Sequence, residues 1–293
     1  MTKASITNVK TPSSALADRP ASGKVSVRNV TKIYDPEGVH VVALDGFSMD
    51  IEAGDFVAIV GPSGCGKSTL MNILAGFDTL TTGEVYLDDQ LLAGPGTKPL
   101  PGSDRVVVFQ QGALFPWMTV LENVTYGLMK KGVLKRAEAN EKGIEFLERS
   151  GNLGRIANSY PAQLSSGMQR RVEIVRALIN DPKILLLDEP FRAMDTVNKN
   201  RMHQHLLRIY QATRKTIMFI THDLEEALFL ADRVIVMTTR PGTMKMDIAI
   251  DLPRPRDHAM MASEAYLALK QQAVFAVREE AKRAFDRGER EMA

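Results

Sequence analysis

The sequence predicts an α/β protein: a mainly parallel sheet, antiparallel β strands near the N-terminus, and an inserted α-helical subdomain. Three observations carry that expectation. Short apolar runs of strand length, DFVAIVG at 55–61, KILLLDEP at 183–190, TIMFITHD at 216–223 and DRVIVMTT at 232–239, are separated by helical stretches. Strands this apolar are covered on both faces, and alternation with helices points to parallel pairing. Between about 112 and 178 the strand-like runs vanish and helical periodicity dominates, which marks the insert.

The elements follow in order. The first 23 residues, MTKASITNVKTPSSALADRPASG, are small and polar and lack the apolar core of a signal peptide, so they read as a flexible leader. KVSVRNVTKIY at 24–34 alternates apolar and polar residues as a half-buried strand does. DPEG is a turn, VVALDGFSMDI a second strand region and EAGD a second turn. DFVAIVG is a buried strand running straight into a glycine-rich loop, and STLMNILAGF begins a helix with Leu70, Ile73 and Leu74 on one face. GEVYLDD and RVVVFQ add two strands. The core thus spans 24–250, with the insert at 112–178, and 251–293 forms a helical tail. On that tail Val274, Val277, Ala281 and Phe285 share a face, expected to dock on the body; a helix lying on a membrane surface is the alternative.

Composition narrows the class. Of 293 residues 44% are hydrophobic and 25% charged, the balance of a globular protein with a sizeable core. A net charge of +2 gives no basic footprint for nucleic acid. One cysteine excludes an internal disulfide and fits a reducing compartment. The longest apolar runs, such as ILLL at 184–187, fall far short of the roughly 18 residues needed to cross a bilayer.

The chemistry sits at the strand ends. GPSGCGKST, with Gly61, Pro62, Ser63, Gly64, Cys65, Gly66, Lys67, Ser68 and Thr69, matches the phosphate-binding pattern G-x-x-x-x-G-K-[ST] between a strand and a helix. Glycines let backbone N–H groups turn onto phosphate oxygens, and the helix start adds partial positive charge. Lys67 reaches the β- and γ-phosphates, the Ser68 hydroxyl suits Mg²⁺, and Cys65 reads as a bystander thiol. KILLLDEP delivers Asp188 to the metal and Glu189 to an attacking water. His222, closing TIMFITH, is a candidate γ-phosphate sensor; a helix-capping histidine is the plain alternative. Farther along, LSSGM opens a helix in which Ser165 can cap, Ser166 and Gln169 have capping-box spacing, and Met168, Val172, Val175 and Ile179 form an apolar face.

With these pieces in hand, residues 24–250 resemble the ATP-binding-cassette ATPases, built on a P-loop (RecA-like) core. The matching features, in order, are Tyr34, GPSGCGKST, Gln110 in VVVFQQ, LSSGM, ILLLDEP, the AMD segment ending in Asp195, and His222. The resemblance implies ATP and Mg²⁺, with Tyr34 stacking on adenine and Gln110 touching the metal or the attacking water. It also implies a head-to-tail homodimer in which Ser165, Ser166, Gly167 and Met168 address the γ-phosphate bound by the other copy. Two departures stand out: Ser166 replaces a glycine usual in relatives, and Arg192 stands where glycine is frequent.

The finer resemblance, through FQQ-ALFPW, ADRVIVMTTRPG and DLPRPRD, is to nitrate/sulfonate/taurine-type importer ATPases. It implies a peripheral subunit on the cytoplasmic face of the inner (cell) membrane, serving a permease and, indirectly, a solute-binding protein. The permease would dock near Leu114, Phe115 and Trp117; plain packing of the insert is the alternative use of those side chains. Two rival classes stay open: a nucleotide-binding regulatory subunit with weak ATPase activity, and a non-transport cassette ATPase.

Overall fold

The computed structural model describes residues 22–35, 38–132, 134–192 and 194–286. The expected leader therefore falls outside the described residues except for its last two. Of these, Gly23 is buried and donates its N–H to Asp88 Oδ1 at 2.7 Å, so it belongs to the packed body.

The described residues form two sheets, helices packed against them, and a helical insert. The larger sheet holds six strands in the order β10-β9-β3-β8-β7-β6. Its central strand, β3 (Phe56–Val60), is buried at every residue and pairs in parallel with β8 (Thr216–Ile220) and β9 (Arg233–Met237). β7 (Ile184–Asp188) joins β8 to β6 (Arg105–Val108), again in parallel. The smaller sheet is antiparallel, in the order β2-β1-β4-β5, from β1 (Val25–Tyr34), β2 (Val41–Ile51), β4 (Thr82–Leu87) and β5 (Gln90–Ala93). This is the α/β architecture the sequence predicts.

One core lies between the two sheets and encloses α1 (Lys67–Ala75), whose Leu70, Ile73 and Leu74 are buried there as the periodicity requires. A second core covers the opposite face of the large sheet with α4 (Ser166–Leu178), α5 (Thr196–Thr213), α6 (Leu224–Leu230) and α7 (Glu264–Asp286). The insert has a core of its own from α2 (Val120–Lys130), α3 (Arg136–Arg149) and one side of α4. Among the described residues no helix is long and apolar enough to cross a membrane.

Two strands were not expected. β5 is short, and β10 (Met244–Ala249) pairs antiparallel with β9 at the sheet edge. β10 alternates with charges rather than apolar residues, because Lys245 pairs with Glu280 at 2.8 Å and Asp247 pairs with Arg233. The face of α7 also needs correction. Val277 packs on the core and Val274 is half-buried, as expected, but the buried residues are Tyr266, Ala273, Ala276, Glu280 and Ala284, whereas Ala281 is exposed and Phe285 is 81% exposed. An ion pair sits on the docked side, so hydrophobicity alone misplaces the C-terminal part of the stripe.

Candidate functional site

The parallel strands β3, β7 and β8 end on one edge of the sheet, and each hands its next residues to that edge. After β3 the chain turns through residues 61–66 into α1. Gly66 takes φ 99°, and a β-carbon there would stand 2.8 Å from the Ala43 carbonyl oxygen, so only glycine fits this turn. Lys67 Nζ folds along the loop and donates to the carbonyls of Gly61 at 2.8 Å and Pro62 at 2.9 Å. Cys65 is fully buried, and burial pushes its thiol up, which makes it a poor nucleophile.

β7 brings the acidic pair to the same place. Ser68 Oγ donates to Asp188 Oδ2 at 3.4 Å. The Asp188 carboxyl titrates above its ordinary range, first because burial disfavours its charge and then because Glu189 adds a like charge; Ser68 and Lys67 oppose this in part. Glu189 has φ 40°, a left-handed conformation costly for a side-chain residue, and its N–H is tied to the Ile220 carbonyl at 2.8 Å. That turn aims Glu189 Oε2 at His222 Nδ1, 3.3 Å away, and at Arg192 Nη1, 3.2 Å away. Such a carboxylate, beside a phosphate loop and backed by an imidazole, can orient and deprotonate a water.

Other expected residues stand further out. Tyr34 ends β1, donating to Asp78 Oδ2 at 2.6 Å, with Lys32 Nζ 4.7 Å from its ring centroid. Asp195 caps α5 through the N–H groups of Val197 and Asn198, and these contacts hold its carboxyl below the ordinary range. Gln110 is exposed. Ser165 caps α4, accepting from the Met168 N–H at 3.3 Å. Ser166 does not form a capping box: Gln169 Nε2 reaches back to the carbonyls of Pro161 and Leu164 instead. Ser166 is an exposed first-turn residue outside the left-handed region, so the serine adds no backbone strain.

Sequence reasoning missed two groups. Arg170, Glu173 and Arg176, three and six residues apart on α4, grip the loop that carries Gln110. Arg170 donates to the carbonyls of Phe109 at 2.6 Å and Gln110 at 2.7 Å, Glu173 accepts from the Ala113 N–H at 2.6 Å, and Arg176 donates to its carbonyl at 2.8 Å. Charges recurring at i, i+3 and i+6 along α4, interleaved with the apolar Val172, Ile174 and Val175, were the available signal. Behind His222, His203 and Lys199 of α5 meet Glu226 of α6 at 2.7 and 3.7 Å, and Lys199 also holds Asp223 at 2.6 Å.

Near that clamped loop, Trp117 is 70% exposed and leans at a tilt against Phe115, which also meets Tyr126 edge-on and lies under Arg176. Leu114 turns inward to the core of the insert. A cavity of about 350 Å³ opens beside Phe115, lined by Val106, Phe109, Tyr126 and Asn180.

The ABC transporter family model matches residues 44–192. The chain is 48% identical over 234 residues to an uncharacterized ABC transporter ATP-binding protein of Methanocaldococcus jannaschii, covering 80% of this chain and 85% of that one. It is 44% identical over 229 residues to the nitrate import ATP-binding protein NrtD of Synechocystis, covering 78% and 83%. It is 38% identical over 232 residues to the aliphatic sulfonates import ATP-binding protein SsuB of Bacillus cereus, covering 79% and 88%. Among solved structures it resembles a dimeric post-hydrolysis state of an ATP-binding cassette bound to ADP and Pi, with TM-score 0.67, 35% identity, and coverage of 78% of this chain and 100% of that one. On this sequence evidence and this site, the chain belongs to the ABC transporter family, as one of its ATP-binding, ATP-hydrolysing proteins.

Proposed function

We propose that this protein is the ATP-hydrolysing subunit of an importer, working as a head-to-tail pair beneath a separate permease on the cytoplasmic face of the inner membrane. The names of the nitrate and sulfonate import relatives support a small anionic or organic nutrient as cargo, delivered to the permease by a solute-binding protein. The observation that carries the reading is the meeting of residues 61–69, Asp188, Glu189 and His222 at one sheet edge, with Glu189 3.3 Å from His222.

In this reading the backbone N–H groups of the loop and Lys67 bind the β- and γ-phosphates, and Tyr34 stacks on the adenine. Mg²⁺ fits the donor set: the Ser68 hydroxyl and the Asp188 carboxylate are hard oxygens side by side, with Gln110 supplied by the clamped loop. Bound there, it would neutralise charge on the phosphates. Glu189 takes the proton of the water that attacks the γ-phosphate in line, and His222 holds Glu189 and the γ-phosphate in register. Ser165, Ser166, Gly167 and Met168 of the other copy present a capped helix start to the same phosphate, with Asp195 at that boundary.

Asp188 gives a test on stability as well as rate. Its pKa in the folded protein lies above its unfolded value, so ionised Asp188 costs stability above the folded pKa. That cost fades as pH falls through this value towards the unfolded one. Asp188→Asn is expected to raise the melting temperature of the nucleotide-free protein at neutral pH by about 2 °C. Mg²⁺-dependent turnover should fall by on the order of 10²-fold. Calorimetry that found the variant less stable would contradict the assignment.

Ser166→Gly should change turnover by less than about threefold, since the serine is unstrained and exposed. If glycine instead restored a wild type that hydrolysed almost nothing, the chain would be a regulatory subunit. Docking is tested by membrane fractionation in the native host: the tagged wild type should sediment with membranes, and Trp117→Glu should release it while leaving soluble ATPase activity intact. Equal sedimentation of both would remove Trp117 from the permease contact.

A further inference from the structure

We propose that the C-terminal helix α7 sets the nucleotide affinity of the phosphate loop, acting through Glu280 and the loop 238–243. The inference rests on the assignment of residues 61–69 to the triphosphate. β9 lies beside β3 in parallel, so the chain leaving β9 emerges next to the chain leaving β3. There the loop 238–243 presses on the glycine-rich turn. A β-carbon on Gly242 would stand 2.1 Å from the Cys65 carbonyl oxygen, so two backbones are in direct contact. Arg240 Nη2 lies 3.3 Å from the place a Gly64 β-carbon would take, which sets a guanidinium against the outer wall of the turn. Gly242 is also fastened to β2, its N–H donating to the Ala43 carbonyl at 2.9 Å and its carbonyl accepting from Asp45 at 3.2 Å.

The other side of this loop is held by the tail. Glu280, 1% exposed, accepts from the Thr239 N–H at 2.9 Å, from Lys245 Nζ at 2.8 Å and from Arg283 at 2.9 Å. A buried carboxylate bound by two cations and a loop N–H is a fixed anchor, because its charge has no cheaper partner in water-free surroundings. The contacts run without a gap from α7 through Thr239 to Arg240 and Gly242, and so to Gly64 and Cys65. Arg240 and Glu280 are therefore positioning residues: they shape the turn whose N–H groups meet phosphate, and Arg240 adds positive charge behind it.

The test is equilibrium binding of Mg·ATP to the full chain, with turnover measured at saturating ATP. Arg240→Ala is expected to weaken affinity about tenfold, and Glu280→Gln about fivefold, both with saturated turnover within twofold of wild type. Arg240→Lys, which keeps the charge, should recover most of the loss. Lys67→Ala serves as the control for the assignment beneath: if it binds ATP normally, the triphosphate lies elsewhere and that assignment fails. If Lys67→Ala loses binding while Arg240→Ala and Glu280→Gln keep wild-type affinity, the tail's role is overturned on its own. Because Arg240 is exposed, its substitution leaves the core untouched even should Glu280→Gln unfold.

Discussion

Glu189→Gln should abolish steady-state ATP hydrolysis, by about 10³-fold, while leaving ATP binding intact. The amide keeps the size and the polar contacts of the side chain but has no lone pair basic enough to take a proton from water. The left-handed backbone at φ 40° that aims Glu189 is held by its N–H bond to Ile220, which the substitution does not touch. Nucleotide should then stay uncleaved between two copies, so the variant with Mg·ATP should elute as a dimer on size exclusion where the nucleotide-free wild type elutes smaller. A Glu189→Gln protein that turned over at the normal rate would remove the residue from the role of base. His222→Ala should give a smaller loss, because the imidazole steadies the carboxylate rather than replacing it.

The second large effect is on stability. Glu173→Ala should cost about 3–5 kcal/mol of unfolding free energy, measured by denaturant titration. Glu173 is 3% exposed and pairs with Arg170 at 2.6 Å. Burial already pulls the Arg170 guanidinium below its ordinary range, with Glu173 opposing that pull. Deleting the carboxylate leaves a buried cation and an Ala113 N–H without their acceptor. Replacing both members together, Arg170→Met with Glu173→Leu, should be milder, since no lone charge is then trapped. The single variant should also lose turnover, because the loop bearing Gln110 hangs on Arg170. A cost below about 1 kcal/mol for Glu173→Ala would mean the pair is solvated and the grip on the loop is weak.

What the sequence made legible was whatever lies in consecutive residues. The phosphate loop, the Asp188–Glu189 pair and His222 each follow an apolar strand, so their address at the sheet edge could be read before any contact was known. Side-chain grips across 60 or more residues could not. Arg170 and Glu173 look like ordinary charges on a helix, and only the folded chain brings Phe109, Gln110 and Ala113 beneath them. The missed strand β10 and the misplaced face of α7 share one cause. Both bury or pair charges, Lys245 and Glu280, where a reading by apolar periodicity looks for aliphatic side chains. Ser166 misled in the opposite direction: motif spacing suggested a cap, but the glutamine three residues on spends its amide on the preceding turn.

β6 is one of the two edge strands of the large sheet and, among the described residues, pairs with β7 alone, through a four-residue ladder from Arg105 to Val108. β3, by contrast, is locked by neighbours on both sides. The strand that opens into the glycine-rich turn is thus braced by backbone on both flanks, whereas the segment leaving β6 at Gln110 takes its second support from side chains of α4, so that helix and that segment shift as one piece.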